Sequence, residues 1–304
     1  MIAAVSTNQS PHHQKLLLLA RDIKLSHSVF AMPWAILAAF LAARGMPRLV
    51  DLVLLVLCMV TARTVAMLAN RLLDADLDAV NPRTAGRALP SGRVDWTFAL
   101  VTLIATAIAF IAATSGFWFA DRNAWPIALS IPVLLFLSGY PLLKRFTRLC
   151  HYYLGAALAL APVCAWLAIR GDLTVTPFLM AGAVVCWTAG FDIIYACQDY
   201  ESDIATGVFS VPATVGISRA LWISRLTHFF CIAFMILSGE SARPQLGTLY
   251  DAGVTIATVL IILEQSLVSP SDLSKVGLAF FTLNGLISLL IGTLGSIDVF
   301  MHTH

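Results

Sequence analysis

Nine apolar stretches, each long enough to cross a bilayer, dominate this 304-residue sequence. A transmembrane helix needs about 20 mostly apolar residues. Such stretches lie at residues 27–44, 49–69, 95–118, 124–142, 151–169, 174–197, 220–238, 248–268 and 276–299. The alternation of a β-barrel strand is not visible, so the backbone must satisfy its hydrogen bonds within helices. The sequence therefore predicts an all-α polytopic membrane protein, a bundle of about nine transmembrane helices.

Charged residues make up only 12% of the chain, and the mean hydropathy is +0.84. Soluble domains carry about 25% charged residues, so the composition excludes soluble Rossmann enzymes and DNA-binding proteins, and we expect no nucleic-acid partner. Residues 1–26 are predicted to form a cytoplasmic segment without a removable signal peptide, in which LLLLA at 16–20 indicates an interfacial helix. Residues 27–300 are predicted to form a single membrane domain in the lipid bilayer.

Lys and Arg are distributed unequally between the two ends of the predicted spans. Thirteen of the nineteen lie in the N-terminal segment or beside the loops after the second, fourth, sixth and eighth stretches. Loops rich in Lys and Arg face the cytoplasm. We therefore expect a protein of the cytoplasmic (inner) membrane with its N-terminus and these loops in the cytoplasm. The C-terminus, with His302 and His304, would lie outside.

Acidic residues are scarce, yet seven of the seventeen cluster at the ends of two apolar stretches. Within each cluster polar residues recur at steps of three or four, which keeps their side chains on one face of a helix. The two stripes are Asn70, Asp74 and Asp78, and Asp192, Tyr195, Asp199 and Asp203. The first stripe matches the last three residues of the second at a constant offset of 125 residues, which weakly indicates an internal duplication. Acidic groups at such positions are costly unless paired or bound to cations, so they predict a functional site.

Two carboxylate stripes indicate a binding site for hard divalent cations. Mg²⁺ binds one or two carboxylates and completes its shell with waters and phosphate oxygens. Basic residues on the same predicted face would bind the diphosphate, and these are Arg71, Arg83, Arg87, Lys144 and Arg145. The sequence thus predicts a Mg²⁺–diphosphate site at the cytoplasmic opening of an apolar central cavity. A substrate with a diphosphate head and a long hydrocarbon tail fits both parts.

Three segments carry a family resemblance. NRLLDADLDAVNPRTAGRALPSG (70–92), DIIYACQDYESD (192–203) and SVPATVG (210–216) resemble the UbiA family of intramembrane aromatic prenyltransferases, particularly those acting on 4-hydroxybenzoate. The resemblance implies Mg²⁺-dependent transfer of a polyprenyl group from polyprenyl diphosphate to the ring of an aromatic acid, in ubiquinone or menaquinone biosynthesis. A dihydroxynaphthoate acceptor, for menaquinone, remains an alternative.

The resemblance also assigns roles to residues. The metal ligands it implies are Asn70, Asp74, Asp78, Asp192, Asp199 and Asp203, and the basic contacts it implies are Lys144 and Arg145. Arg83 and Arg87 are further candidate diphosphate contacts because of their charge and predicted face. Asp192, Tyr195 and Arg71 are the candidate catalytic residues. Asp192 would orient or deprotonate a phenol, and Tyr195 would stack on or hydrogen-bond to a substrate. Many family members carry Asp where this chain has Arg71, and we still expect metal binding because the carboxylate stripe is intact.

Two other functions use buried carboxylates. A cation-coupled transporter would place them near the bilayer midplane on broken helices, whereas here they lie at the ends of apolar stretches beside basic loops. A membrane phosphotransferase would share the Mg²⁺ chemistry but would form a phosphoester instead of an alkylated ring.

Overall fold

The computed structural model describes residues 12–23 and 30–302, and its regular elements there are helices. Parts of the predicted N-terminal segment, and His304, lie outside these ranges. Eight helical segments are long and apolar enough to cross a membrane. Their helices are α3 (Leu49–Leu73), α5 (Trp96–Asp121), α6 (Trp125–Leu143), α7 (Cys150–Arg170), α8 (Val175–Ala196), α11 (Ile217–Ser241), α12 (Thr248–Leu267) and α14 (Asn284–His302). The predicted all-α membrane fold is confirmed.

The first predicted span corresponds to a shorter helix, α2 (Met32–Ala43), of 12 residues. It begins with Pro33 in its first turn, where a missing backbone N–H costs nothing, and it ends at Arg44 in a left-handed conformation. Helix α2 packs against α7 and α14 and is among the most buried elements, with Trp34 fully buried. Its position in the core explains why 12 residues, about 18 Å of helix, are stable there.

Short helices gather at one end of the bundle. They are α1 (His12–Asp22), α4 (Ala75–Val80), a 3₁₀ turn (Cys197–Asp199), α9 (Tyr200–Thr206), α10 (Val211–Val215), α13 (Val276–Leu278) and a π-helical turn (Ala279–Leu283). Helices α3, α6 and α8 end at this side, and α5 and α7 begin here. We call it the motif end, because both acidic stripes lie on it.

The acidic stripes were expected on continuous helices, and this expectation is wrong in detail. Helix α3 stops at Leu73, and Asp74 (φ −101°, ψ 4°) separates it from α4. In the same way Asp199 (φ −97°, ψ 7°) ends the 3₁₀ turn that follows α8, and α9 begins at the next residue. Backbone bonds from Asp74 N to Asn70 O (3.0 Å) and from Asp78 N to Asp74 O (2.8 Å) nevertheless preserve the spacing of one turn. Asn70, Asp74 and Asp78 therefore stay on one side of the chain although the helix is interrupted at Asp74.

Close packing and a buried polar chain join the spans. A Cβ atom on Gly155 of α7 would lie 2.5 Å from the carbonyl oxygen of Val185 in α8, so these helices approach to backbone contact. Trp187 Nε1 donates to Asn284 Oδ1 (2.6 Å), and Asn284 Nδ2 donates to Glu264 Oε1 (2.7 Å). These bonds connect α8, α14 and α12 in the interior, where an unpaired polar group is costly.

Candidate active site

A polar cavity of about 770 Å³ opens at the motif end. Eleven of the twelve predicted site residues line it: Asn70, Arg71, Asp74, Asp78, Arg83, Arg87, Lys144, Asp192, Tyr195, Asp199 and Asp203. Arg145 does not line the cavity; its guanidinium donates to the carbonyl oxygen of Leu73 at the end of α3 and lies 3.9 Å from Asp74 Oδ1. The structure thus brings the two acidic stripes and four of the five predicted basic residues together in one cavity.

Asp74 lies at the centre of the first stripe and is 2% exposed. Its Oδ2 accepts from Asn70 Nδ2 and from Lys144 Nζ, both at 2.7 Å. Burial raises the pKa of Asp74 above its ordinary value, and the positive charge of Lys144 opposes this shift. Its Oδ1 is buried without a hydrogen bond, so one carboxylate oxygen is available to a cation.

Asp78, one turn further on, is paired with arginines. Arg87 Nη1 reaches both carboxylate oxygens, at 2.7 and 2.6 Å, and Arg71 Nη1 is 3.7 Å from Oδ2. Arg71 also donates to Asn70 Oδ1 (2.8 Å). Arg71 therefore connects two residues of the stripe from a largely buried position, and its predicted catalytic role stays a prediction.

The second stripe is contacted by the arginine loop, residues 81–95 between α4 and α5. Arg83 Nε and Nη2 bind the two oxygens of Asp199 at 2.9 and 2.6 Å, and Asn81 Nδ2 donates to Asp199 Oδ1 (3.0 Å). Arg83 Nη1 also donates to the hydroxyl of Tyr195 (2.9 Å). Burial lowers the pKa of Arg83, but the bonds to Asp199 outweigh it, so the pKa is raised and the side chain is cationic. A loop of the first half thus reaches the acidic stripe of the second.

Asp192 is held by a histidine that sequence reasoning missed. His151 Nδ1 lies 2.7 Å from Asp192 Oδ2, and the backbone N–H of Val211 donates to His151 Nε2 (3.2 Å). Because Nε2 accepts this bond, the ring proton is on Nδ1 and is donated to Asp192. His151 and Asp192 are 41 residues apart, and a single His at the start of an apolar helix gives no spacing signal.

The carboxylates fit a magnesium site that is completed by its substrate. Among the described residues no three His, Cys, Asp or Glu side chains form a ready metal cluster. Mg²⁺ rarely needs one, since it binds through one or two carboxylates and substrate phosphates. The Asp74 oxygen that accepts no hydrogen bond and the all-oxygen donor set of the stripes suit such an ion.

An apolar cavity continues from the polar one into the bundle. Residues of α3, α5, α6 and α7 line it, and it extends along α6 from Tyr140 to Pro126, about 21 Å of helix. Arg63, Met67, Tyr140 and Leu154 line both cavities and mark their junction. Arg63 forms no ion pair within the described part of the chain, and its Nε is buried without a partner. The junction therefore holds a partly buried positive charge beside apolar walls.

Aromatic rings form one wall of the polar cavity. Tyr195 packs on Phe280 with ring centroids 4.3 Å apart, and Phe280 meets Phe281 edge-on at 4.6 Å. The guanidinium of Arg83 lies 5.2 Å from the centroid of Tyr195. The chamber thus combines carboxylates, guanidinium groups and aromatic rings next to a hydrocarbon-sized channel.

Comparison with known proteins identifies this arrangement. A model of the UbiA prenyltransferase family matches residues 31–286, most of the chain. The chain belongs to the UbiA prenyltransferase family. It is therefore an integral membrane prenyltransferase, which disfavours the transporter and phosphotransferase alternatives.

Relatives that are named for an enzymatic activity match over nearly the same length. A 4-hydroxybenzoate octaprenyltransferase of Pseudoalteromonas translucida is 29% identical over 291 residues, which cover 92% of this chain and 96% of that protein. Another, of Photobacterium profundum, is 30% identical and covers 84% and 85%. Both similarities span both acidic stripes of this UbiA family member.

Solved structures share the fold. The apo structure of a UbiA homologue from Aeropyrum pernix matches with a TM-score of 0.77 at 27% identity, covering 92% of this chain and 99% of that one. A UbiA homologue from Archaeoglobus fulgidus, bound to GPP and Mg²⁺, matches with a TM-score of 0.68 at 21% identity and covers 94% and 99%. The helical bundle of this chain is thus the UbiA fold.

Proposed function

We propose that this prenyltransferase transfers a polyprenyl group from polyprenyl diphosphate to the ring of a hydroxylated aromatic acid of the 4-hydroxybenzoate type. The continuity of the two cavities at Arg63, Met67, Tyr140 and Leu154 supports this proposal most directly. A substrate with a charged head and a hydrocarbon tail can occupy both cavities at once. The names of the curated relatives and the GPP and Mg²⁺ of the Archaeoglobus fulgidus homologue agree with it.

The diphosphate would bind among the basic residues of the polar cavity. Lys144, Arg83 and Arg87 project into it from two different loops and now pair with Asp74, Asp199 and Asp78. The metal would be held by Asp74 and Asp199 with their stripe neighbours, and when bound it would neutralise charge on the leaving diphosphate. The arginines and Lys144 bind the same group and exclude water from the reacting bond.

The acceptor would lie at the junction of the cavities. A carboxylate is the natural partner for the guanidinium of Arg63, which forms no ion pair with any described residue, so Arg63 would bind the acid group of the acceptor. Asp192, held by His151, faces the same cavity and would accept a hydrogen bond from the acceptor hydroxyl. Since 4-hydroxybenzoate and a dihydroxynaphthoate both carry a hydroxyl and a carboxylate, these contacts suit either acceptor.

The bond changes follow from this placement. The allylic C–O bond breaks and its electron pair leaves with the diphosphate, which the cationic side chains stabilise. A ring carbon ortho to the hydroxyl attacks the allylic carbon, and the proton displaced from that carbon passes to Asp192 or a neighbouring carboxylate of the cavity. The faces of Tyr195, Phe280 and Phe281 would stabilise the allylic cation and keep water from it.

Membrane location and orientation also belong to the proposal. The motif end carries most of the Lys and Arg residues, so it would face the cytoplasm in the inner membrane. The product would be a lipid-soluble precursor in ubiquinone or menaquinone biosynthesis.

The test is a product analysis with purified protein in lipid nanodiscs. Farnesyl diphosphate, Mg²⁺ and 4-hydroxybenzoate or dihydroxynaphthoate are offered together, and products are identified by mass. We expect a farnesylated aromatic acid, whose formation EDTA and Asp199→Asn abolish. Glu201→Gln is the matched control, because Glu201 is an exposed acid of the same segment as Asp199 and does not line the cavity. Free farnesol without any alkylated ring, or full activity of Asp199→Asn, would contradict the proposal.

A further inference from the structure

Helix α1 packs against the arginine loop at the motif end. Its Leu19 and the following Ile23 are buried in a cluster with Ala88 and Val94 of that loop and with Leu68 of α3. On the opposite side of α1, Leu17 is 57% exposed. The buried side of α1 therefore faces the protein and holds the loop between itself and α3.

Polar contacts fix both ends of α1 to this loop. Lys15 is 8% exposed, and its Nζ donates to Asp95 Oδ2 (2.7 Å) at the end of the arginine loop. Lysine is rarely so buried unless it is paired. The pairing lowers the pKa of Asp95, together with the bond that Asp95 accepts from Phe98 N at the start of α5. This ion pair therefore connects α1 to the point where the loop enters a span.

The second contact lies beside the diphosphate-binding candidates. Asp22 accepts a hydrogen bond from the backbone N–H of Ala88, the residue next to Arg87. Arg21 and Asp22 themselves line the polar cavity. The carboxylate of Asp22 thus fixes the backbone at the point from which the guanidinium of Arg87 reaches Asp78.

We propose that α1 is a clamp that positions the arginine loop for diphosphate binding, with Lys15 and Asp22 as positioning residues. This inference rests on the proposed function only in the identity of the ligand. The arginine loop contains turns but no long regular element, so contacts with the rest of the protein help to hold Arg83 and Arg87 over the cavity. Ordering a loop on binding costs conformational entropy and weakens the affinity for the ligand. A loop that is already ordered before binding avoids this cost. The clamp therefore acts on the diphosphate and leaves the aromatic acid unaffected.

The first test compares two substitutions at Asp22. Asp22→Ala removes the acceptor for Ala88 N–H, whereas Asp22→Asn retains an acceptor oxygen. Loss of a hydrogen bond to a charged group corresponds to about a tenfold change. We expect Asp22→Ala to raise the KM for farnesyl diphosphate about tenfold without changing the KM for the aromatic acid, and Asp22→Asn to remain near wild type. Leu17→Ala, on the exposed side of α1, is the matched control.

The second test is a double-mutant cycle across the ion pair. Lys15→Met removes the charge but keeps the aliphatic stem, and Asp95→Asn keeps an N-cap acceptor for α5. Each should raise the KM for the diphosphate severalfold, and the double variant should be no worse than either one, because the pair is already broken. Additive effects, or equal changes in the KM of both substrates, would overturn the clamp.

Binding separates this inference from the proposed function. Affinity for farnesyl diphosphate with Mg²⁺ is measured by isothermal titration calorimetry, and thermal unfolding checks that each variant is folded. If the wild type binds the diphosphate but alkylates no ring, the proposed acceptor chemistry fails, while the affinities of the Asp22 variants still decide the clamp. Unchanged diphosphate affinity in folded Asp22→Ala would refute it.

Discussion

Replacing Arg63 by Met should maintain or raise the stability of the folded protein and should weaken its binding of the aromatic acid. Arg63 lies in a membrane span, and its Nε is buried without a hydrogen-bond acceptor among the described residues. A buried charge without a partner is costly, and an apolar residue of similar volume removes this cost. We therefore expect Arg63→Met to leave the Tm unchanged or to raise it.

The effect on catalysis should be opposite and specific to one substrate. Removal of one partner of a desolvated charge pair costs about 2–5 kcal/mol. A loss of about 3 kcal/mol corresponds to about a 100-fold increase in the KM for the aromatic acid. The KM for polyprenyl diphosphate should change little, because the cations nearest the acidic stripes are Lys144, Arg83 and Arg87.

The assay measures initial rates in nanodiscs while each substrate is varied in turn. Arg219→Met, an exposed arginine outside the cavities, controls for the loss of one positive charge. 4-Hydroxybenzamide, which lacks the carboxylate, should be a poor acceptor for the wild type and should discriminate little between the wild type and Arg63→Met. A lower Tm, or an equal rise in the KM for both substrates, would refute this assignment of Arg63.

Three further predictions concern packing, tail length and acceptor orientation. Gly155→Ala should destabilise the bundle by about 1–3 kcal/mol and lower the Tm, because the added Cβ would lie 2.5 Å from the backbone of α8. Gly285→Ala is the control and should leave the Tm unchanged, because no atom lies within 4 Å of its added Cβ. Cys164→Trp should fill the apolar cavity and shift the products towards shorter tails when geranyl, farnesyl and geranylgeranyl diphosphates compete, as measured by product mass. His151→Phe should lower kcat about tenfold, because Asp192 loses its donor, whereas His151→Gln, which keeps a donor, should retain most of the rate.

The spans and the acidic residues were predictable because both depend on local sequence. Apolar length alone places the helices, and a step of four residues places Asp74 and Asp78 on one side. The interruption at Asp74 was not predictable, because it depends on how one residue's backbone is held between two helices. The extent of α2 was also missed at its start, since hydropathy does not show where a buried helix begins.

The other features of the site that were not predictable depend on contacts between segments far apart in the sequence. Asn81 and His151 hold Asp199 and Asp192 across 118 and 41 residues, and neither residue belongs to a recognisable spacing. The exact position of Arg145 was not predictable for a related reason, and its contact with the diphosphate stays a prediction. Its charge and its neighbour Lys144 suggested a place in the cavity, but the chain turns after α6, so Lys144 faces Asp74 while Arg145 binds the end of α3.

The matching interruptions at Asp74 and Asp199 bear on how such a site arises. They lie 125 residues apart, with nearly equal backbone angles, and each follows a span that ends on the same side of the bundle. Tandem copies of a four-span ancestor, arranged in parallel, would produce this relation. Such copies would have diverged, because residues 207–216, which follow the second stripe, contain no Lys or Arg, unlike the arginine loop. The two acidic stripes are thus alike in backbone, but only the loop after the first stripe contributes arginines. The site is asymmetric for this reason, which suits a ligand whose two ends differ.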